Sequence, residues 1–127
     1  MDGIGGDVEV GSTGRFLKGA DFDGEGQKLT VVGVEIFTPE NADYGVKHTY
    51  GAGGAVVKEN WFVKNGILNE GQSFKYKFTD EDMPKEFDNS SLSFYFKFKD
   101  ANPEEGQVVM IKRNKKSNTD VEWTITK

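Results

Sequence analysis

The sequence predicts an all-β protein, a small barrel of five to seven short strands with at most one short helix. Three observations carry that expectation. Several segments alternate apolar and polar residues with a period of two, clusters of glycine, proline, asparagine and aspartate punctuate them, and no long amphipathic helical pattern or internal repeat is present. A chain of 127 residues falls in the size range of one domain with one core.

Residues 1–13 are acidic and rich in glycine, too poor in large apolar side chains to repay the entropy of ordering. They are expected to be a flexible leader, and residues 14–127 the barrel domain. The segment Lys28 to Phe37, KLTVVGVEIF, is the best central strand. It is apolar on both sides of the pleat, with Val32, Val34 and Ile36 on one and Leu29, Val31 and Phe37 on the other. Gly33 is where such a strand can bend to serve two layers of a barrel, a feature of OB folds.

The turn chemistry of Thr38 to Gly45 marks a loop. Val46 to Tyr50 and Ala55 to Val63 read as extended segments around the glycine-rich turn Gly51 to Gly54. Phe74, Tyr76 and Phe78 alternate with Lys75 and Lys77. Leu92, Phe94, Phe96 and Phe98 alternate in the same way with Ser93, Tyr95, Lys97 and Lys99, which predicts another strand. Asp80 to Asn89 reads as the connection between them, and is where the one short helix is expected. Gln107 to Arg113 and Asp120 to Thr126 form a closing β-hairpin with a basic tip at Asn114 to Asn118.

Composition excludes several classes of function. The chain has no cysteine, so disulfides, thiolate metal sites and a thiol nucleophile are ruled out. The sole histidine, His48, lies between Lys47 and Thr49 with no local partner to make it a base. Carboxylates fall in solvated runs such as Asp80-Glu81-Asp82. Asp21 to Gly26 lacks the third acid and the spaced glutamate of a calcium loop, and Gly51 to Gly54 lacks the spacing of a nucleotide-binding loop. No catalysis and no cofactor is expected. No apolar run is long enough to span a bilayer and the start is unlike a signal peptide, which predicts no membrane association and a cytoplasmic protein.

The formal net charge of −5 argues against coating duplex DNA by bulk electrostatics. The charge is uneven, however: residues 1–45 hold nine acids against three bases, while residues 107–127 hold five bases against two acids. Bases also interleave with aromatic residues at Lys58, Trp61, Phe62 and Lys64, at Lys75 and Lys77 beside Tyr76, and at Tyr95, Lys97 and Lys99. Proteins that bind single strands combine these two elements, because bases stack on rings while cations follow phosphates. Core packing competes for each ring. Trp123 shares a face with Val121 and Ile125 and reads as core; Trp61 and Phe62, being adjacent in a segment read as a strand, cannot both point inward.

Two stretches resemble phage-type single-stranded DNA-binding proteins with an OB fold, a likeness spanning most of residues 14–127. One is Gly14-Arg15-Phe16-Leu17-Lys18 with the short acidic turn and long strand after it. The other is Asn102-Pro103 through Gly106, Val108 to Arg113, and Thr119-Asp120-Val121-Glu122-Trp123. The resemblance implies an OB barrel in DNA replication or recombination that protects single-stranded DNA, or alternatively RNA, with little sequence dependence. It implies that Lys112, Arg113, Lys115 and Lys116 face the nucleic acid and that Arg15 and Lys18 add contacts; self-association and replication or recombination proteins are further partners it suggests. It further implies the cytoplasm of a bacterial host if the gene is a phage's; Ile125-Thr126-Lys127 do not match the acidic C-terminal tail of that class. The rival readings are a β-sandwich structural or virion module and a carbohydrate-binding module.

Overall fold

The computed structural model describes residues 14–127, so the expected leader lies outside the described residues. The strands are β1 (Phe16–Leu17), β2 (Gln27–Phe37), β3 (Thr49–Tyr50), β4 (Val56–Lys58), β5 (Ser73–Asp80), β6 (Met83–Asn89), β7 (Val108–Lys115) and β8 (Val121–Thr126). Two helices accompany them, α1 (Trp61–Lys64) and α2 (Leu92–Ala101). The mostly β architecture expected from the sequence is therefore present.

Six strands form one sheet in the order β1-β6-β5-β2-β7-β8, and β3 with β4 forms a separate two-stranded ribbon. All pairings are antiparallel except β1 with β6. Strand β2 is shared: Gln27 to Thr30 pair with β7, whereas Thr30 to Phe37 pair with β5. The register shifts between Val31 and Gly33, at the point where the sequence suggests a bend.

That shift reverses the pleat. Leu29 and Val31 are buried before it, whereas after it Val34 and Ile36 lie opposite the buried Tyr76 and Phe74. Phe37 consequently leaves the side of Leu29 and Val31 on which the regular alternation put it, and joins the outer face of the sheet. One extra residue in one strand moves every later side chain across the pleat.

The sheet curls until its far strands meet. Phe87 of β6 and Trp123 of β8 have three strands between them in the order, yet their ring centroids are 5.6 Å apart. Phe22, on a 3-10 turn at Gly19–Phe22, closes the seam 4.8 Å from Phe87 and 5.5 Å from Trp123. Phe94 of α2 packs against the same two rings at 5.1 and 4.8 Å and against Tyr76 at 4.6 Å. Edge-on aromatic pairs of this type add about 0.5–1.5 kcal/mol each beyond the area they bury. Trp123 is thus core, as its spacing suggested.

Three expectations are corrected. Residues 92–99 form the helix α2 and not a strand. Ser91 caps its start, its hydroxyl accepting from the Phe94 amide at 3.3 Å, and Asn102 ends it in the left-handed conformation with Pro103 next. The apolar set that reaches the core is Phe94, Tyr95 and Phe98, at helical spacing, while Leu92 and Phe96 stay exposed. Residues 80–89 are not a loop or a helix: Glu81 and Asp82 form a tight turn with φ of 51° and 69°, and Met83 to Asn89 return as β6. The extended reading of Ala55 to Val63 holds only through Lys58. Asn60 then accepts hydrogen bonds from the amides of Phe62 and Val63 and starts α1.

The long connection from β2 to β5 is anchored where Gly45 crosses Gly71. A Cβ on Gly45 would overlap the Gly71 backbone, and nearby the Gly71 amide donates to the Val46 carbonyl while the Val46 amide donates to the Gln72 carbonyl. The ribbon is pinned to the same connection by Tyr50, whose hydroxyl donates to Glu70 at 2.7 Å. The Gly51 to Gly54 turn forms the ribbon tip.

Candidate nucleic-acid interface

Alternation along β5 buries Phe74, Tyr76 and Phe78 and turns Lys75 and Lys77 to the outer face. Cross-strand neighbours decide what those cations do there. Lys75 Nζ lies 2.8 Å from Asp88 Oδ1 and 3.0 Å from Glu86 Oε1, and Lys77 Nζ lies 2.9 Å from Glu35 Oε2. Arg15 donates twice to Glu86 Oε2, at 3.0 and 2.8 Å.

Glu86 is only 6% exposed, and its position between two cations sets its ionisation. Burial pushes its pKa up, but hydrogen bonds from Arg15 and Lys75 outweigh that and leave it below the usual value. Burial likewise pushes Lys75 down, and its bonds to Asp88 and Glu86 more than compensate, so Lys75 is raised. The network fixes Lys75 in the middle of the face. Its ammonium sits 4.4 Å from the Phe37 ring centroid and 5.7 Å from that of Phe16. Phe16 is 64% exposed.

Beyond Phe37 the face deepens into a groove of about 700 Å³, walled by Phe37 and Tyr44, floored by Ser73 and rimmed by Lys18, Asp88 and Asn89. Tyr44 is placed by a short 3-10 turn that Asn41 caps, its side chain accepting from the Asp43 amide at 3.0 Å.

The closing hairpin supplies exposed cations. Lys112 and Lys115 are exposed, and Lys116 lies 3.5 Å from Glu122. Arg113 differs from its neighbours: it donates to both carboxylate oxygens of Asp23, at 2.7 and 3.0 Å, and its guanidinium fills the space where Gly19 has no side chain. These hydrogen bonds hold the Asp23 carboxyl below its usual range. The expected phosphate contact at Arg113 is therefore already engaged in holding the 19–23 turn against β7.

The remaining expected residues gather around α1 and α2. Trp61 is 36% exposed and packs edge-on to Phe96 at 5.1 Å, with Lys58 beside it in a shallow depression. Phe62 is 1% exposed and belongs to the core; of the adjacent pair, Trp61 is the one that reaches solvent. Tyr95 stacks on Phe74 at 5.2 Å and meets Phe62 at 5.0 Å, so the ring expected on a wet strand face is part of the core wall of a helix. Lys64 and Lys97 are exposed.

His48 accepts a hydrogen bond at Nδ1 from the Asn60 amide at 2.8 Å, a structural link between the ribbon and α1. Among the described residues no group of three or more histidine, aspartate or glutamate side chains is placed to hold a metal ion, and no helix is long and apolar enough to cross a membrane.

Phe16, Phe37 and Tyr44 are the outer-face rings that sequence reasoning passed over. Phe16 was within reach, since Leu17 beside it is buried and neighbours in a strand face opposite ways. Phe37 was hidden by the bulge. Comparison with protein-family models, with curated proteins and with solved structures finds no match for this chain.

Proposed function

We propose that this protein binds single-stranded nucleic acid without covalent chemistry, as an OB-type barrel, with DNA as the first candidate and with little dependence on sequence. The observation that carries the reading is the outer sheet face, where the Phe16 and Phe37 rings flank the fixed ammonium of Lys75. Rings and cations so interleaved suit a strand whose bases are unpaired and whose phosphates need neutralising.

Connectivity supports it. The five longer strands β2, β5, β6, β7 and β8 lie in the order β6-β5-β2-β7-β8, with α2 between the third and fourth. OB barrels bind oligonucleotides on the face of their second and third strands and on the loops joining strands one to two and four to five. Counted over these five strands, those features are the Lys75 face, the 38–72 connection with Tyr44, and the hairpin tip with Lys115 and Lys116. In this reading bases stack on Phe16 and Phe37 while Lys18, Lys112, Lys115 and Lys116 follow the phosphates. Glu35 and Asp88 limit affinity by holding Lys77 and Lys75.

The test is fluorescence anisotropy of a labelled oligo-dT and of a labelled duplex, each titrated with protein at several salt concentrations. Saturable binding of oligo-dT that weakens with salt, and weaker binding of duplex, is expected. Absence of oligo-dT binding at low salt overturns the proposal.

A further inference from the structure

Resting on the strand-binding reading, we infer that the path of the strand continues past the groove between Phe37 and Tyr44 to a second stacking site, where a base sits against Trp61 and Phe96 and the phosphates meet Lys58 and Lys99. The ligand this fits is a single strand long enough to reach both sites.

The rings come first. Trp61 is 36% exposed and Phe96 40%, and both stand outside the buried core cluster. Phe62 and Tyr95, beside them in the chain, supply the rings that wall the core. The Trp61 and Phe96 centroids are 5.1 Å apart with the ring planes at 70°, so the pair makes an apolar corner on the surface. A base stacked on one ring meets the edge of the other, and these are the two contacts that aromatic systems favour.

Charge follows the same strip. Lys58 lines the depression of about 280 Å³ beside Trp61. Leu92, Phe96 and Lys99 are spaced by four and three residues along α2, which puts all three on one helix face. Lys99 Nζ lies 5.9 Å from the Tyr95 ring centroid. Unlike Lys75 and Lys77 on the sheet, neither Lys58 nor Lys99 is in an ion pair among the described residues. Glu59, the acid lining the depression, is drawn to Lys64 at 3.9 Å. Unpaired cations beside exposed rings suit the phosphates and bases of one strand.

The depression and the groove are neighbours. Ser91 lines the groove, and Leu92, next in the chain, lines the depression. Asp43 lines the groove, and Lys47, whose ammonium is 3.4 Å from the Asp43 carboxylate, lines the depression. At Ser91 the divide is a single backbone step, about 3.8 Å between Cα atoms. A strand leaving the groove therefore reaches the Trp61 corner without leaving the surface.

The experiment titrates the full chain with oligo-dT of about four and about twelve nucleotides, lengths within the range one OB fold covers, and reads anisotropy and tryptophan emission. Trp123 is 4% exposed, so quenching reports Trp61, and Trp61→Phe is expected to abolish it. The longer oligomer is expected to quench the emission and the shorter to leave it nearly unchanged. Trp61→Ala is expected to weaken binding of the longer oligomer about tenfold. Lys58 and Lys99 are exposed, so replacing both with alanine keeps the fold; it is expected to lower the slope of log affinity against log salt by about 1.4 for the longer oligomer only. A bound longer oligomer that does not quench, or variants that bind it as the unaltered chain does, overturns this inference and leaves strand binding standing; a corner reserved for a protein partner would give that result. Equal losses at both lengths overturn it as well. Failure of both oligomers to bind overturns both readings.

Discussion

The Lys75 ammonium stands 3.0 Å from the Glu86 carboxylate and 4.4 Å from the Phe37 ring, so one side chain links the ion network of the outer sheet face to the aromatic rings on that same face. The cation is held in place before any ligand arrives. Its rigidity separates the roles of the residues around it into those that bind and those that support.

Phe16 and Phe37 fall in the first group. Changing either to alanine is expected to weaken oligo-dT binding by about 1–3 kcal/mol, the range for losing one base-stacking ring. Because Phe16 is mostly exposed, Phe16→Ala is expected to leave the urea midpoint nearly unchanged. Anisotropy and equilibrium unfolding on the same samples check both.

Glu86 falls in the second group. Its folded pKa lies below the usual value, so its contribution to stability is complete above the unfolded pKa and is lost as pH falls through the folded one. Glu86→Gln is expected to lower stability at pH 7 by about 1.5–3 kcal/mol, the range for a hydrogen bond to a charged group. It is also expected to flatten the decline of stability below about pH 4. Urea unfolding of both proteins at a series of pH values measures this; parallel acid limbs would refute it.

The basic hairpin should divide in two. Replacing Lys112, Lys115 and Lys116 together with alanine is expected to reduce the slope of log affinity against log salt by about 2, at roughly 0.7 for each single-strand phosphate contact, with little change in melting temperature. Arg113→Ala is expected instead to lower the melting temperature, because it frees Asp23 and the turn that seats Phe22. A triple variant that melts early, or an Arg113 variant that does not, would contradict the division.

Tyr76 carries a buried hydroxyl with no hydrogen-bond partner in the described structure, and burial pushes its pKa well up. Removing an unsatisfied buried group while keeping the ring should not weaken the core. Tyr76→Phe is expected to be neutral or to stabilise by about 1 kcal/mol, read from the urea midpoint.

How far the candidate site could be read from the residues varied with the distance over which each feature is decided. Lys75 and Lys77 were legible because alternation in a one-sided strand is local, and Phe74, Tyr76 and Phe78 mark the buried side at once. Tyr95 was misplaced because Leu92 to Lys99 alternates as neatly as a strand. The helical signals were Ser91 before it, Asn102-Pro103 after it, and the spacing of Phe94, Tyr95 and Phe98. Met83 to Asn89 gave too little apolar signal to register as a strand, since Phe87 alone among its middle residues is a large buried hydrophobe.

By itself the sequence determined that the protein is mostly β, that β2 is the central strand with an irregularity near Gly33, and that the chain closes in a basic hairpin. These follow from side-chain period and turn chemistry, which act over a few residues. Tertiary structure alone decided that 92–101 is a helix, that Phe37 faces outward, and that Arg113 and Lys75 are held by Asp23 and Glu86. Each of those depends on strand register or on packing between residues far apart in the chain, where a one-residue bulge or a partner ring outweighs local preference.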